Sequence, residues 1–173
     1  RLGLKPHLLI GDLDSVSPQE LADVMNAGAE VRRFPPAKDQ TDLELALEYA
    51  LTNGYAQIMI AYALGERSDH TLGNINLLSR PNLVDKSAWL DDGQVEIRLV
   101  SQATTLPTRP GDLVSLFAWG SPAEGVTTQG LRYPLQSEPL FPWQSRGISN
   151  VALSDRFELK LSSGRLLVMI TRH

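Results

Sequence analysis

Three acidic clusters carry the groups best suited to chemistry in this sequence. They are Gly11-Asp12-Leu13-Asp14-Ser15, Lys38-Asp39-Gln40-Thr41-Asp42 and Gly65-Glu66-Arg67-Ser68-Asp69-His70. On an extended segment, Asp12 and Asp14 can both point to one side. Carboxylates that converge repel one another unless something positive neutralises them. Their hard oxygens suit Mg2+, which is held by one or two carboxylates together with phosphate oxygens. Lys38, Arg67 and His70 stand among the acids and can hold phosphates, aided by the backbone amides of helix N-termini. Carboxylates for a metal beside cations and amides for phosphate describe phosphoryl-type transfer. Each cluster alone has a plainer explanation: a helix cap for Asp39 or Asp42, a turn for Asp12-Leu13-Asp14, a surface ion pair for Arg67 and Asp69. The set of three at one sheet edge is the functional signal.

The flanking elements account for that placement. His7-Leu8-Leu9-Ile10 is a short buried strand stopping at Gly11. Ser17-Pro18-Gln19-Glu20 is a capping box with proline at the first helical position, and Gly28 is placed to end the helix, whose face is Leu21, Val24 and Met25. Glu30 to Phe34 reads as a second strand before Pro35-Pro36. Thr41-Asp42-Leu43-Glu44 opens a helix whose face is Leu43, Ala46, Leu47, Ala50 and Leu51. Gln57 to Ala63 reads as a third strand, buried on both sides, and a third helix ends before Pro81. Alternating strands and helices imply a parallel sheet, with ligands beyond the carboxyl ends of its strands. From about Val95 the pattern becomes strand-like: Val95–Val100, Asp112–Trp119, Gly125–Tyr133, Arg156–Leu161 and Arg165–Thr171. Ser163-Gly164 reads as the turn of a hairpin between the last two. The expected fold is an α/β unit over residues 1–92 and a small all-β unit over 93–173, divided at Asp91-Asp92-Gly93-Gln94.

Composition narrows the partners. The chain has 173 residues and a formal net charge of −4, so nucleic acid is not an expected partner. No apolar run reaches the ~18 residues that cross a bilayer, and no membrane association is expected. Without cysteine there is no disulfide, thiolate zinc site or cysteine nucleophile, which fits the cytoplasm. The three histidines are scattered, which again favours a hard cation on carboxylates. An EF-hand starting at Asp12 fails, because Ser17 and Asp23 stand where Gly and Glu are needed. A stronger alternative is that the strand ending in Asp12-Leu13-Asp14-Ser15-Val16 resembles the loop of haloacid-dehalogenase-type phosphatases. Asp12 would then be the nucleophile and Asp14 the acid/base. That family has no place for the all-β half.

Read together, GDLDS at Gly11–Ser15, KDQTD at Lys38–Asp42 and GERSDHTLGN at Gly65–Asn74 resemble the thiamin pyrophosphokinase family. A fourth match is Gly147-Ile148-Ser149-Asn150 with Gly130-Leu131-Arg132-Tyr133 before it. The resemblance covers essentially the whole chain. It implies a parallel-sheet α/β catalytic domain followed by a β-sandwich thiamin-binding domain, and transfer of diphosphate from ATP to the thiamin hydroxyl with release of AMP. On that analogy Asp12, Asp14 and Asp42 hold Mg2+, and Asp14, Asp42, Arg67 and Asp69 form the catalytic group. Lys38, Gln40, Arg67 and Asn74 lie on the ATP side, Asp69 orients Arg67 or the hydroxyl, and Ser149 and Asn150 line the thiamin pocket. The resemblance further implies a homodimer with the site shared between subunits. Arg1–Pro6 matches only the end of the family's first helix, so the family's first strand and helix are expected to be missing from the chain as given. A non-catalytic thiamin- or nucleotide-binding module is the remaining alternative.

Overall fold

The local signals for the helices are realised in the computed structural model, which describes residues 4–65, 67–83 and 86–173. Glu66 of the third acidic cluster and residues 1–3 lie outside the described residues. The fold is mixed α/β, and the chain divides into two compact units, Arg1–Tyr55 and Ala56–His173.

The first unit runs β1 (Leu8–Gly11), α1 (Pro18–Asn26), β2 (Glu30–Arg33) and α2 (Asp42–Thr52). β1 and β2 pair in parallel from Leu8↔Glu30 to Gly11↔Arg33, with α1 as the crossover that parallel strands require. Ser17 caps α1: its Oγ accepts from Glu20 N–H at 3.3 Å, and Glu20 Oε2 accepts from Ser17 N–H at 3.0 Å. The expected apolar face of α1 is only partly covered, with Met25 exposed. Thr41 caps α2 by accepting from Glu44 N–H at 3.2 Å. Leu45 joins Leu47 in the buried set of that helix, a position that the Leu43/Leu47/Leu51 periodicity does not select.

The second unit runs β3 (Gln57–Ala61), α3 (Ser68–Leu77), a 3-10 turn (Pro81–Leu83), β4 (Ser87–Asp91), β5 (Val95–Val100), β6 (Thr104–Pro107), β7 (Leu113–Ala118), β8 (Ala123–Gln129), β9 (Glu138–Leu140), β10 (Asn150–Val151), β11 (Arg156–Lys160) and β12 (Leu166–Thr171). One sheet has the order β10-β7-β12-β5-β4-β3 and another the order β6-β11-β8-β9. Among the described residues of these two sheets, β3 and β4 pair in parallel and the other pairs are antiparallel. A single apolar core joins the two sheets. Val114, Leu116, Val168 and Ile170 come from one, and Leu106, Val126, Phe157 and Leu159 from the other. Among the described residues no helix is long and apolar enough to cross a membrane.

Three expectations need correction. First, the parallel pairing falls in two places, β1 with β2 in the first unit and β3 with β4 in the second, and β4 is a strand that the sequence pattern does not show. Second, β3 is an edge strand, and its Met59 is exposed; an apolar run alone does not say whether both faces are covered. Third, Ser163-Gly164 does not make a hairpin, because β11 pairs with β6 and β8 whereas β12 pairs with β5 and β7. The turn carries the chain from one sheet to the other. A Cβ on Gly164 would lie 2.4 Å from the Pro122 carbonyl oxygen, so glycine is required there. The segment Asp91-Asp92-Gly93-Gln94 is the tight turn between the antiparallel strands β4 and β5, closed by Asp92 Oδ1 accepting from Gln94 and Val95 N–H at 2.9 and 2.7 Å.

Candidate active site

Gly11 ends β1 at φ 143°, and a Cβ there would lie 2.5 Å from Asp42 Oδ2. The Asp42 carboxylate, at the start of α2, is therefore seated against the carboxyl end of β1 in space that only glycine leaves open. The segment after Gly11 is not extended. Leu13 is buried in the left-handed region at φ 62°, and Asp14 N–H donates to Asp12 Oδ1 at 3.2 Å, so Asp12-Leu13-Asp14 is a turn. A buried leucine at positive φ is an uncommon arrangement that concentrates at functional sites.

Lys38 joins the two loops. Its Nζ lies 2.9 Å from Asp42 Oδ1 and 3.4 Å from Asp12 Oδ2. The Lys38 and Asp12 side chains are only 14% and 19% exposed, whereas Asp42 is 46% exposed. The Asp14 N–H, and after it Lys38, holds the Asp12 carboxyl below the usual carboxylate range, against burial, which acts the other way. The bond to Asp42 raises the Lys38 ammonium above its ordinary value, again against burial. Asp14, Asp39 and Gln40 are exposed beside this pair in sequence.

Two of the three expected metal ligands thus meet, at a common cation. Among the described residues no three Asp, Glu or His side chains are gathered into a ready-made metal cage. The donors present still suit Mg2+: hard oxygens from two carboxylates with one lysine charge against them, the Asp42 carboxylate being seated where Gly11 lacks a Cβ. A pair of carboxylates, completed by phosphate oxygens and water, is this ion's usual protein complement.

In the second unit, Arg67 and Asp69 form a two-point pair, Nη2–Oδ2 at 2.6 Å and Nε–Oδ1 at 3.2 Å, with side chains 70% and 65% exposed. Arg67 lowers the Asp69 carboxyl to about 2, with a smaller contribution from the His70 N–H. Asn74 Nδ2 donates to the Ala63 carbonyl at 2.8 Å and so ties α3 to the loop after β3. Thr71, which the sequence reading passed over, closes the same loop: its hydroxyl accepts from Gly65 N–H at 3.2 Å. Its place one helical turn after Arg67 was the available signal.

The remaining two motifs meet in the same unit. Arg132 N–H donates to the Val151 carbonyl, and Leu153 N–H to the Gly130 carbonyl, each at 2.9 Å. Asn150 is buried and acts as a clip. Its Oδ1 accepts from Tyr133 and Val151 N–H at 3.0 and 2.9 Å, while Nδ2 donates to the Tyr133 carbonyl at 2.7 Å. Ser149 is exposed at φ 57°, and its N–H donates to Ser115 Oγ at 3.0 Å. Of these two neighbours, Ser149 faces solvent and Asn150 shapes the loop. Tyr133, Ile148 and Leu153 add exposed apolar surface to these segments. Sequence alone does not distinguish them from core residues.

Comparison with known proteins covers both halves. Residues 1–89 match the family model of the thiamin pyrophosphokinase catalytic domain, and residues 100–166 that of the thiamin pyrophosphokinase vitamin B1 binding domain. The chain is 30% identical to thiamine pyrophosphokinase of Bacillus subtilis (strain 168) over 176 residues, covering 97% of this chain and 79% of that protein. It is 30% identical to thiamine pyrophosphokinase 1 of Oryza sativa subsp. japonica over 146 residues, covering 79% of this chain but 55% of the rice protein. The crystal structure of the Bacillus subtilis thiamine pyrophosphokinase superposes with a TM-score of 0.88 at 28% identity, covering 99% of this chain and 81% of that one. A thiamin pyrophosphokinase family protein from Enterococcus faecalis gives a TM-score of 0.84 at 26% identity, covering 97% and 81%. With both of its halves matched in order, the chain belongs to the thiamin pyrophosphokinase family.

Proposed function

We propose that the chain transfers a diphosphate group from ATP to the hydroxyl of thiamin, giving thiamin diphosphate and AMP. The thiamin hydroxyl oxygen attacks the β-phosphorus of ATP, a new P–O bond forms, the bond to the α-phosphate oxygen breaks, and the hydroxyl proton is lost. The observation that carries this reading is the meeting of Asp12, Lys38 and Asp42 at the end of β1, inside the segment matched by the catalytic-domain model. Positioning and charge dominate such a transfer, so no covalent nucleophile is needed. An Asp12 nucleophile of the phosphatase type has no such support from the family.

In this reading Asp12 and Asp42, with Asp14 beside them, hold Mg2+. The ion supplies charge neutralisation on the triphosphate when bound. Lys38 and Gln40 are assigned to the ATP phosphates; Arg67 and Asn74 carry the family's nucleotide-side motif, with Asp69 fixing the Arg67 guanidinium. Ser149 contacts thiamin, and Asn150 holds the loop that presents it. Nucleotide chemistry is assigned to residues 1–92 and thiamin recognition to a β-sandwich over 93–173, in a cytoplasmic homodimer whose subunits share the site. The test is a product assay. AMP must form only when thiamin and Mg2+ are both present. Release of ADP and phosphate without thiamin would count against the proposal.

A further inference from the structure

We infer that Lys38 is a built-in counter-ion occupying the place of the divalent cation between Asp12 and Asp42, so that the arriving metal must displace it. The inference rests on the magnesium reading above and adds a competition to it.

The geometry makes the competition direct. Asp12 Oδ1 is engaged by Asp14 N–H at 3.2 Å, which leaves Oδ2 as the oxygen turned to Lys38 at 3.4 Å. Asp42 offers Oδ1 to the same ammonium at 2.9 Å while its Oδ2 lies against Gly11. The lysine therefore takes one oxygen from each carboxylate, as a bridging cation would. Among the described residues no other basic side chain is paired with either carboxylate; Arg33 reaches only the Asp12 backbone carbonyl, at 3.4 Å. One positive charge against two negative ones leaves a deficit that a divalent ion meets better. Lysine suits a displaceable role, because its charge is a compact point on a flexible stem, whereas arginine is a planar two-point clamp. Once displaced, the ammonium is free to turn to the phosphates that arrive with the metal. A permanent scaffold is the opposing possibility, in which Lys38 stays between the acids and the metal binds elsewhere.

Mn2+ binding to the full chain without nucleotide, followed by the electron paramagnetic resonance of the free ion at fixed ionic strength, separates the two. Lys38→Met should bind Mn2+ more tightly than the natural chain, on the order of tenfold, the change expected for losing one competing charge. Lys38→Arg should not show that gain. The melting temperature of Lys38→Met should also rise more on adding Mn2+ than that of the natural chain, while its KM for ATP increases. Should Lys38→Met fail to fold, Lys38→Gln carries the same expectation. Equal or weaker Mn2+ binding by the variant, with clear binding by the natural chain, overturns the inference and leaves the magnesium reading intact. Absence of Mn2+ binding by all forms, with or without a non-hydrolysable ATP analogue, overturns the magnesium reading itself and this inference with it. Failure of both variants to fold even in saturating Mn2+ makes the lysine structural and contradicts the displacement.

Discussion

A methyl group on Gly11 would sit 2.5 Å from Oδ2 of Asp42. The first strand and the second helix are therefore fitted to each other through a carboxylate resting on a bare backbone. Gly11→Ala should push Asp42 aside and also strain φ at 143°. The expected cost is about 1–3 kcal/mol of stability and a fall in kcat of at least roughly tenfold. Denaturant melts and steady-state AMP formation check both.

Asp42→Asn separates charge from shape. Thr41 keeps the α2 cap through its bond to Glu44 N–H, so the helix should survive. Turnover should fall by roughly a hundredfold or more, as when a group acting on developing charge is removed. The melting temperature should move little. A variant that loses turnover and melting temperature in proportion would show that Asp42 acts only as a structural residue.

Asn150 and Ser149 should respond in opposite ways. Asn150→Ala leaves the Tyr133 N–H and carbonyl without their side-chain partner, costing about 2–4 kcal/mol. Ser149→Ala should leave stability near that of the natural chain and raise the KM for thiamin. Thermal melts of both variants, with thiamin titrations of the Ser149 one, are the measurements.

The Arg67–Asp69 pair gives a prediction for pH. Asp69 titrates at about 2, below the ordinary carboxylate value of 3.8, because Arg67 holds its charged form. A depressed pKa in the folded protein means that the pair's contribution is complete above the ordinary value and is lost only as pH falls through about 2. No step in activity between pH 5 and 8 should therefore come from Asp69. Carbon-detected NMR titration should put its midpoint near 2, moving toward 3.8 in Arg67→Gln. A midpoint already at the ordinary value in the natural chain would show that the pair does not persist in solution.

Local chemistry was the legible part of this fold. The Ser17 and Thr41 caps and the Gly28 stop follow from rules confined to one helical turn, and the structure uses them. Strand partners depend on distant residues. β12 is buried on both faces, the mark of a strand interior to its sheet, yet its alternating neighbour β11 suggested a hairpin. β4 was missed because Ser-Ala-Trp-Leu-Asp is short and does not alternate. At the site, residue types pointed to carboxylates, cation and phosphate, but not to Lys38 as the link. That link depends on the return of the chain after Pro35-Pro36 toward the end of β1, a tertiary event with no spacing rule. The bonds from Asn150 to Tyr133 are not legible in sequence, where a buried amide clip and a ligand-facing amide look alike.

The most direct test is single-turnover analysis by phosphorus NMR of ATP, Mg2+ and thiamin with the natural chain and with an Asp12→Asn/Asp42→Asn double variant. The natural chain should give thiamin diphosphate and AMP in equal amounts, and the folded double variant neither. Full product formation by that variant would contradict the assignment of these two carboxylates to the reacting centre.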